Sequence, residues 1–245
     1  MQIKKRNIGL KVDDSLMRVY VAAPEPPGQY PGILFYCDIF QLGRPITLLA
    51  DRLAGYGYVV AAPEIFHRTE PIGTAIEPGE IGLMRGSDNV RRTAIAEYDA
   101  DGLAVLEWLR DEDSVVSEKI GTIGFCVGGH LAFRAAFQFF VKAAVCCYPT
   151  GIHNGELGRG GADTIERVGE ISGEVLTVFG SLDSFVPSEG RDKILQALET
   201  AGVRHKTLLY KADHVFMRND NYRYDPVATD NAWIEITSFL ERVLN

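Results

Sequence analysis

The sequence predicts an α/β fold, a mostly parallel, twisted sheet with helices on both faces. Three observations carry that prediction. Apolar runs at residues 32–37 and 58–63 read as strands buried on both faces, and 141–148 reads as a further strand. They alternate with stretches of 3.6-residue apolar periodicity, the order expected of a parallel sheet wrapped by helices. At the centre, residues 119–133 pass from an apolar run through Gly124-Phe125-Cys126-Val127-Gly128 into an amphipathic helix.

Taken in order, residues 2–11 and 15–22 alternate loosely across Asp13-Asp14-Ser15 and predict an antiparallel hairpin. A Pro/Gly-rich connection, 24–31, leads to the strand at 32–37 and the loop Asp38-Ile39-Phe40. A helix is expected over 44–55, with Ile46, Leu49, Ala50 and Leu53 on one side, and a strand over 58–63. Residues 68–90 hold Pro71, Gly73, Pro78, Gly79 and Gly82, so they predict a long excursion with one short helix near 79–85. A longer helix is expected over 89–110, with Ala96, Leu103, Leu106 and Trp108 among its apolar positions. Beyond the central unit, the strand at 141–148 is followed by a Gly-rich loop, 151–173. A strand at 174–180, a helix at 189–201, a strand at 204–210 and a final helix at 229–243 complete one domain over residues 1–245. No repeats or low-complexity segments interrupt it.

Composition narrows the function. The chain has 245 residues, 46% apolar and 24% charged, as in ordinary soluble globular proteins. No apolar run reaches membrane-span length, and the basic N-terminus lacks a hydrophobic region behind it, so neither a membrane nor a secretory route is expected. The four cysteines, 37, 126, 146 and 147, form no CxxC spacing and no disulfide framework, which points to a reducing, cytoplasmic setting. A formal charge of −8 argues against nucleic acid and gives no general attraction for anions. An anionic substrate would have to be collected by local arginines.

The central turn has the layout of a nucleophile elbow, G-x-S-x-G, with Cys in place of Ser. Gly124 and Gly128 fit such a turn because strand and helix approach too closely for a Cβ. The thiol is held at a helix N-terminus, where the dipole favours a thiolate. Alone, the motif is equally compatible with a tight βα turn carrying an inert Cys. A nucleophile needs a base and an orienting group, in the chain order nucleophile, acid, His. Asp183 follows the strand at 174–180 and His214 follows the strand at 204–210, both at the strand ends that carry Cys126. Each has a bland reading, Asp183 as a turn residue and His214 as a loop His bonded to Asp213. Together they make a triad. His67, His130, His153 and His205 are weaker bases, and Cys37 reads as a strand-end core residue.

Over nearly its whole length the chain resembles the dienelactone hydrolase family of α/β hydrolases. The matching segments are Gly124-Phe125-Cys126-Val127-Gly128-Gly129, residues 180–187 with Asp183-Ser184-Phe185-Val186-Pro187, and His214-Val215-Phe216-Met217-Arg218. Asp38-Ile39-Phe40 and Ala62-Pro63 add to them. The resemblance implies an α/β-hydrolase fold, a Cys126–His214–Asp183 triad and an oxyanion hole from the backbone N–H groups of Val127 and Ile39. The family carries Glu where this chain has Asp38, a carboxylate that helps deprotonate the thiol; Asp38 is one methylene shorter, and capping of the following helix is its alternative. The resemblance also implies that Arg218 binds a substrate carboxylate. Arg85 is the nearest candidate for a second such arginine, and Tyr148 for the pocket wall; a solvated Arg and a packing Tyr are the alternatives.

The expected activity is hydrolysis of a small ester or lactone through a thioester, with no metal or cofactor and only a small molecule as partner, in a monomer or small homo-oligomer. A broad carboxylesterase or thioesterase is the enzymatic alternative, and a non-catalytic hydrolase-like binding protein the other. A glutamine amidotransferase would carry Glu two residues after its His; here that residue is Phe216.

Overall fold

The computed structural model covers residues Met1–Asn245. Its eight strands form one sheet, in the order β1-β2-β4-β3-β5-β6-β7-β8. The strands are β1 (Ile3–Val12), β2 (Ser15–Pro24), β3 (Tyr30–Tyr36), β4 (Val59–Pro63), β5 (Val115–Phe125), β6 (Val141–Cys147), β7 (Glu174–Gly180) and β8 (His205–Tyr210). β1 and β2 make the expected hairpin, β2 pairs antiparallel with β4, and every pairing from β4 through β8 is parallel.

Register places the helices on both faces. Gly32 pairs with Ile120 and would direct a Cβ at Leu109 of α3 (Ile95–Asp111); Gly121, paired with Ile33, would direct one at Leu244 of α6 (Pro226–Leu244). Paired residues share a face and sequence neighbours alternate, so α3 and α6 lie on opposite sides. α4 (Val127–Ala135) packs beside α3, and α1 (Arg44–Gly55) beside α6, where Arg52 lies 4.7 Å over the Trp233 ring. Seventy-two buried apolar residues form a single cluster through both layers. No helix is long and apolar enough to cross a membrane.

Three helices depart from expectation. α2 spans Glu80–Arg92 rather than the short helix expected near 79–85, and its buried positions are Gly82, Gly86 and Asn89. A Cβ at Gly86 would stand 2.6 Å from the Ile39 carbonyl oxygen. The helix therefore seats its backbone directly on the loop after β3, while Ile81 and Met84 face solvent. A face made of glycine leaves no apolar period to read. α3 begins at Ile95 rather than 89, because Thr93 and Ala94 are extended. Thr93 Oγ1 donates to Asn89 O at 3.0 Å, ending α2, and Ala94 N–H donates to Glu97 Oε2 at 2.6 Å, starting α3. Ala96 is consequently exposed rather than part of the apolar face. α6 starts three residues early, at Pro226, with Asp225 as its cap accepting from Ala228 N–H at 2.9 Å. α5 spans Ser188–Thr200.

Candidate active site

Cys126 is the single residue between β5 and α4, with φ 59° and ψ −122°. A Cβ at Gly124 would stand 1.9 Å from Gly128 O, and one at Gly128 2.1 Å from Cys37 O. Both contacts are with backbone that cannot give way, which is why the turn has glycine on either side. Gly128→Ala is expected to destabilise the fold by about 3–5 kcal/mol, read from denaturant unfolding; unchanged stability would contradict this packing.

The Cys126 conformation costs on the order of 1–3 kcal/mol, and it has company. Of the five non-glycine residues with positive φ, four follow strands at this sheet edge: Gln41, Cys126, Tyr148 and Val215. For β-branched Val215 such a φ is a true outlier. Strain concentrated where β3, β5, β6 and β8 end is a property of functional sites.

The structure brings Cys126, His214 and Asp183 into one buried line. His214 Nε2 lies 3.2 Å from Cys126 Sγ, and Nδ1 donates to Asp183 Oδ2 at 2.7 Å. The other oxygen of Asp183 accepts from Phe185 N–H at 2.8 Å and Val186 N–H at 3.3 Å, which fixes the carboxylate. Asp213 meets only the His214 backbone N–H, at 2.6 Å, leaving the ring to Asp183. All three side chains are buried. Burial alone would lower the His214 pKa; its interactions with Cys126 and Asp183 outweigh it and raise the value to about 10. The ring is thereby held as an imidazolium donor facing sulfur.

Tyr148 is buried and packs edge-on against His214, with ring centroids 5.2 Å apart. It also touches Phe125 and Phe216, so it walls His214 rather than an open pocket. Phe185 also packs on the His214 ring, with centroids 4.7 Å apart, and is 47% exposed; Leu182 is 59% exposed. Val127 opens α4, where a helix N–H has no intrahelical acceptor. Ile39 sits in the loop after β3, shaped by Phe40 N–H donating to Asp38 Oδ1 at 2.9 Å and Ile76 N–H donating to Phe40 O at 3.0 Å.

Asp38 and the arginines are differently engaged from expectation. Asp38 is buried and pairs with Arg218 Nη1, and burial raises its pKa against the pull of that guanidinium. Its two oxygens thus go to Arg218 and to the Phe40 N–H rather than to the thiol. Arg218 is only 3% exposed and is held a second time by Asp220. Arg85 is a surface residue of α2, paired through two nitrogens with Glu70. Asp220 was not singled out in the sequence; an acidic residue two positions beyond a site arginine is the only signal for it.

The other histidines are elsewhere. His67 Nδ1 contacts Ser15 Oγ at 2.8 Å and Nε2 contacts Asp101 at 3.0 Å. His130 ties α4 to the long loop: Nδ1 donates to Thr150 O at 2.9 Å, and Nε2 accepts from Thr164 Oγ1 at 2.7 Å. Burial, helped by Arg134, lowers its pKa to about 3. A depressed base contributes stability above its unfolded value and loses it as pH falls toward the folded one. Folding should therefore weaken below about pH 6.5, by about 2 kcal/mol at pH 5, and His130→Gln should remove that slope. A variant with the native pH slope would contradict the assignment.

A strand-to-helix elbow at the carboxyl edge of a mostly parallel sheet defines the protein as an α/β hydrolase. The family model described as "Dienelactone hydrolase family" matches residues 17–244, and the chain belongs to that family. A Saccharomyces cerevisiae protein named as a candidate carboxymethylenebutenolidase is 34% identical over 227 residues, 88% of this chain and 82% of that one. A Synechocystis protein named in the same way is 31% identical over 228 residues, 92% and 91% of the two chains. A solved structure of a candidate dienelactone hydrolase from Klebsiella pneumoniae subsp. pneumoniae superposes with a TM-score of 0.87 at 22% identity, over 99% of this chain and 100% of that one.

Proposed function

We propose that this hydrolase cleaves small carboxylic esters or lactones through a thioester on Cys126. The observation that carries the reading is the buried line Asp183–His214–Cys126, with spacings of 2.7 and 3.2 Å, at the tip of a strained elbow. The Cys126 thiolate attacks the substrate carbonyl carbon, and the carbonyl oxygen takes the negative charge. Val127 N–H and Ile39 N–H face that oxyanion, a contribution of about 10²–10³ in rate per donor. The tetrahedral adduct collapses as His214 Nε2 gives its proton to the leaving oxygen, releasing the alcohol, or opening the ring of a lactone. Neutral His214 then takes a proton from water, whose oxygen attacks the thioester. Collapse of that second adduct releases the acid and restores thiolate and imidazolium. Asp183 keeps the ring in the orientation and tautomer both steps need.

Asp38 supports the site through the oxyanion loop and Arg218. A Cys nucleophile leaves a thioester, which is more reactive toward water than most amides, and this favours activated esters and lactones over peptides. A thiol nucleophile also suits a reducing compartment such as the cytoplasm. The direct test is hydrolysis of an enol lactone and an aryl ester, before and after treatment with iodoacetamide. Turnover lost on alkylation is the expected result; an unchanged rate would defeat the thiol mechanism.

A further inference from the structure

Arg218 is the residue to which the family resemblance assigns a substrate carboxylate, yet its guanidinium is already occupied on every nitrogen. Nη1 pairs with Asp38, Nε donates to Asp220 Oδ1 at 2.7 Å, and Nη2 donates to Asp220 Oδ2 at 3.1 Å. The Asp220 contact is the two-pronged fork that a ligand carboxylate would use. One face of the guanidinium lies 4.8 Å over the Phe40 ring, next to the oxyanion loop. Two carboxylates on one guanidinium leave a net negative charge against the loop that carries Ile39 and Phe40.

The other cations nearby offer no substitute. Arg85 is paired with Glu70, which also accepts from Asn89 Nδ2 at 2.6 Å. Arg223 lies 3.0 Å from Asp213. Arg191 directs Nη1 to the carbonyls of Val186 and Gly180, at 2.8 and 3.4 Å, and so holds the Asp183 loop. The side chains around Asp183 that reach solvent, Ser181, Leu182, Ser184 and Phe185, are all uncharged.

We propose that Asp220 is a specificity-determining residue: by filling the Arg218 fork together with Asp38, it makes this site select neutral esters and lactones over those carrying a carboxylate. The inference rests on the hydrolase reading above. A substrate carboxylate has to displace one that is tethered two residues from Arg218 and loses no translational freedom on binding. While the fork is closed, the anion meets repulsion in a partly buried, weakly screened site.

Two esters with the same leaving group test this, para-nitrophenyl pentanoate and para-nitrophenyl hydrogen glutarate, each corrected for uncatalysed hydrolysis. For the native protein kcat/KM should favour the neutral ester by about tenfold or more, with the difference mainly in KM, and added salt should narrow the gap. Asp220→Asn keeps the shape but removes the charge, and should shrink the neutral-to-anionic ratio by about tenfold. A native protein that handles the anionic ester as well as the neutral one overturns the proposal. So does an unchanged ratio in Asp220→Asn whose thermal unfolding matches the native protein. If neither ester is turned over by the native protein, it is the hydrolase reading that falls.

Discussion

Cys126→Ala is expected to lower ester and lactone hydrolysis by about 10⁴-fold or more, while the protein still folds. In the proposed mechanism elbow, base and oxyanion donors act as one unit, and without sulfur no covalent intermediate forms, so the loss is large. Folding survives because the change removes one atom at a turn held by backbone bonds. Cys126 N–H donates to Cys147 O at 3.0 Å, and Gly129 N–H donates to Cys126 O at 3.0 Å. Steady-state rates with thermal unfolding on the same samples separate the two effects. A folded Ala variant with native turnover would remove Cys126 from the mechanism.

His214→Asn should reduce turnover by about 10³-fold or more, and it should also change how the thiol responds to pH. In the folded protein the His214 pKa is raised to about 10, against about 6.5 for an unfolded histidine. A raised base contributes stability that is fully present below about pH 6.5 and is lost as pH rises through about 10. Over that window His214 is an imidazolium facing Cys126 Sγ at 3.2 Å. Iodoacetamide should accordingly modify native Cys126 at pH 6 and modify the Asn variant far more slowly. The other three cysteines are fully buried, and burial pushes their thiols up, so alkylation reports on Cys126. Equal alkylation rates at pH 6 would show that His214 does not charge the thiol.

Much of this site was legible because its geometry depends on spacing and order. Gly124 and Gly128 mark the places where backbone meets backbone, and Asp183 and His214 follow consecutive strands. Helices with apolar side chains on their buried face, such as α1, were legible for the same reason. α2 was not, because Gly82 and Gly86 are what it buries, and its apolar Ile81 and Met84 point outward. The break at Thr93 and Ala94 depends on a side-chain bond to Asn89 O and on Glu97 reaching back, which no periodicity records. The ion cluster around Arg218 joins residues far apart in the chain. Asp38 and Arg218 could be named as site residues, but that they are bonded to each other depends on β3 and the loop after β8 meeting at one sheet edge. Asp220 adds a charge whose partner only the fold reveals. The strain at Val215 and Tyr148 likewise has no signature in residue type.

The central claim is that an acyl group passes through Cys126. Its most direct test is acid quenching of the native protein within the first turnover of para-nitrophenyl acetate, followed by digestion and mass spectrometry. The account predicts an acetyl group on the peptide containing Cys126, absent after turnover is complete and absent in Cys126→Ala. An acetyl group that accumulates and turns over on a different residue, with Cys126 unmodified throughout, would contradict it.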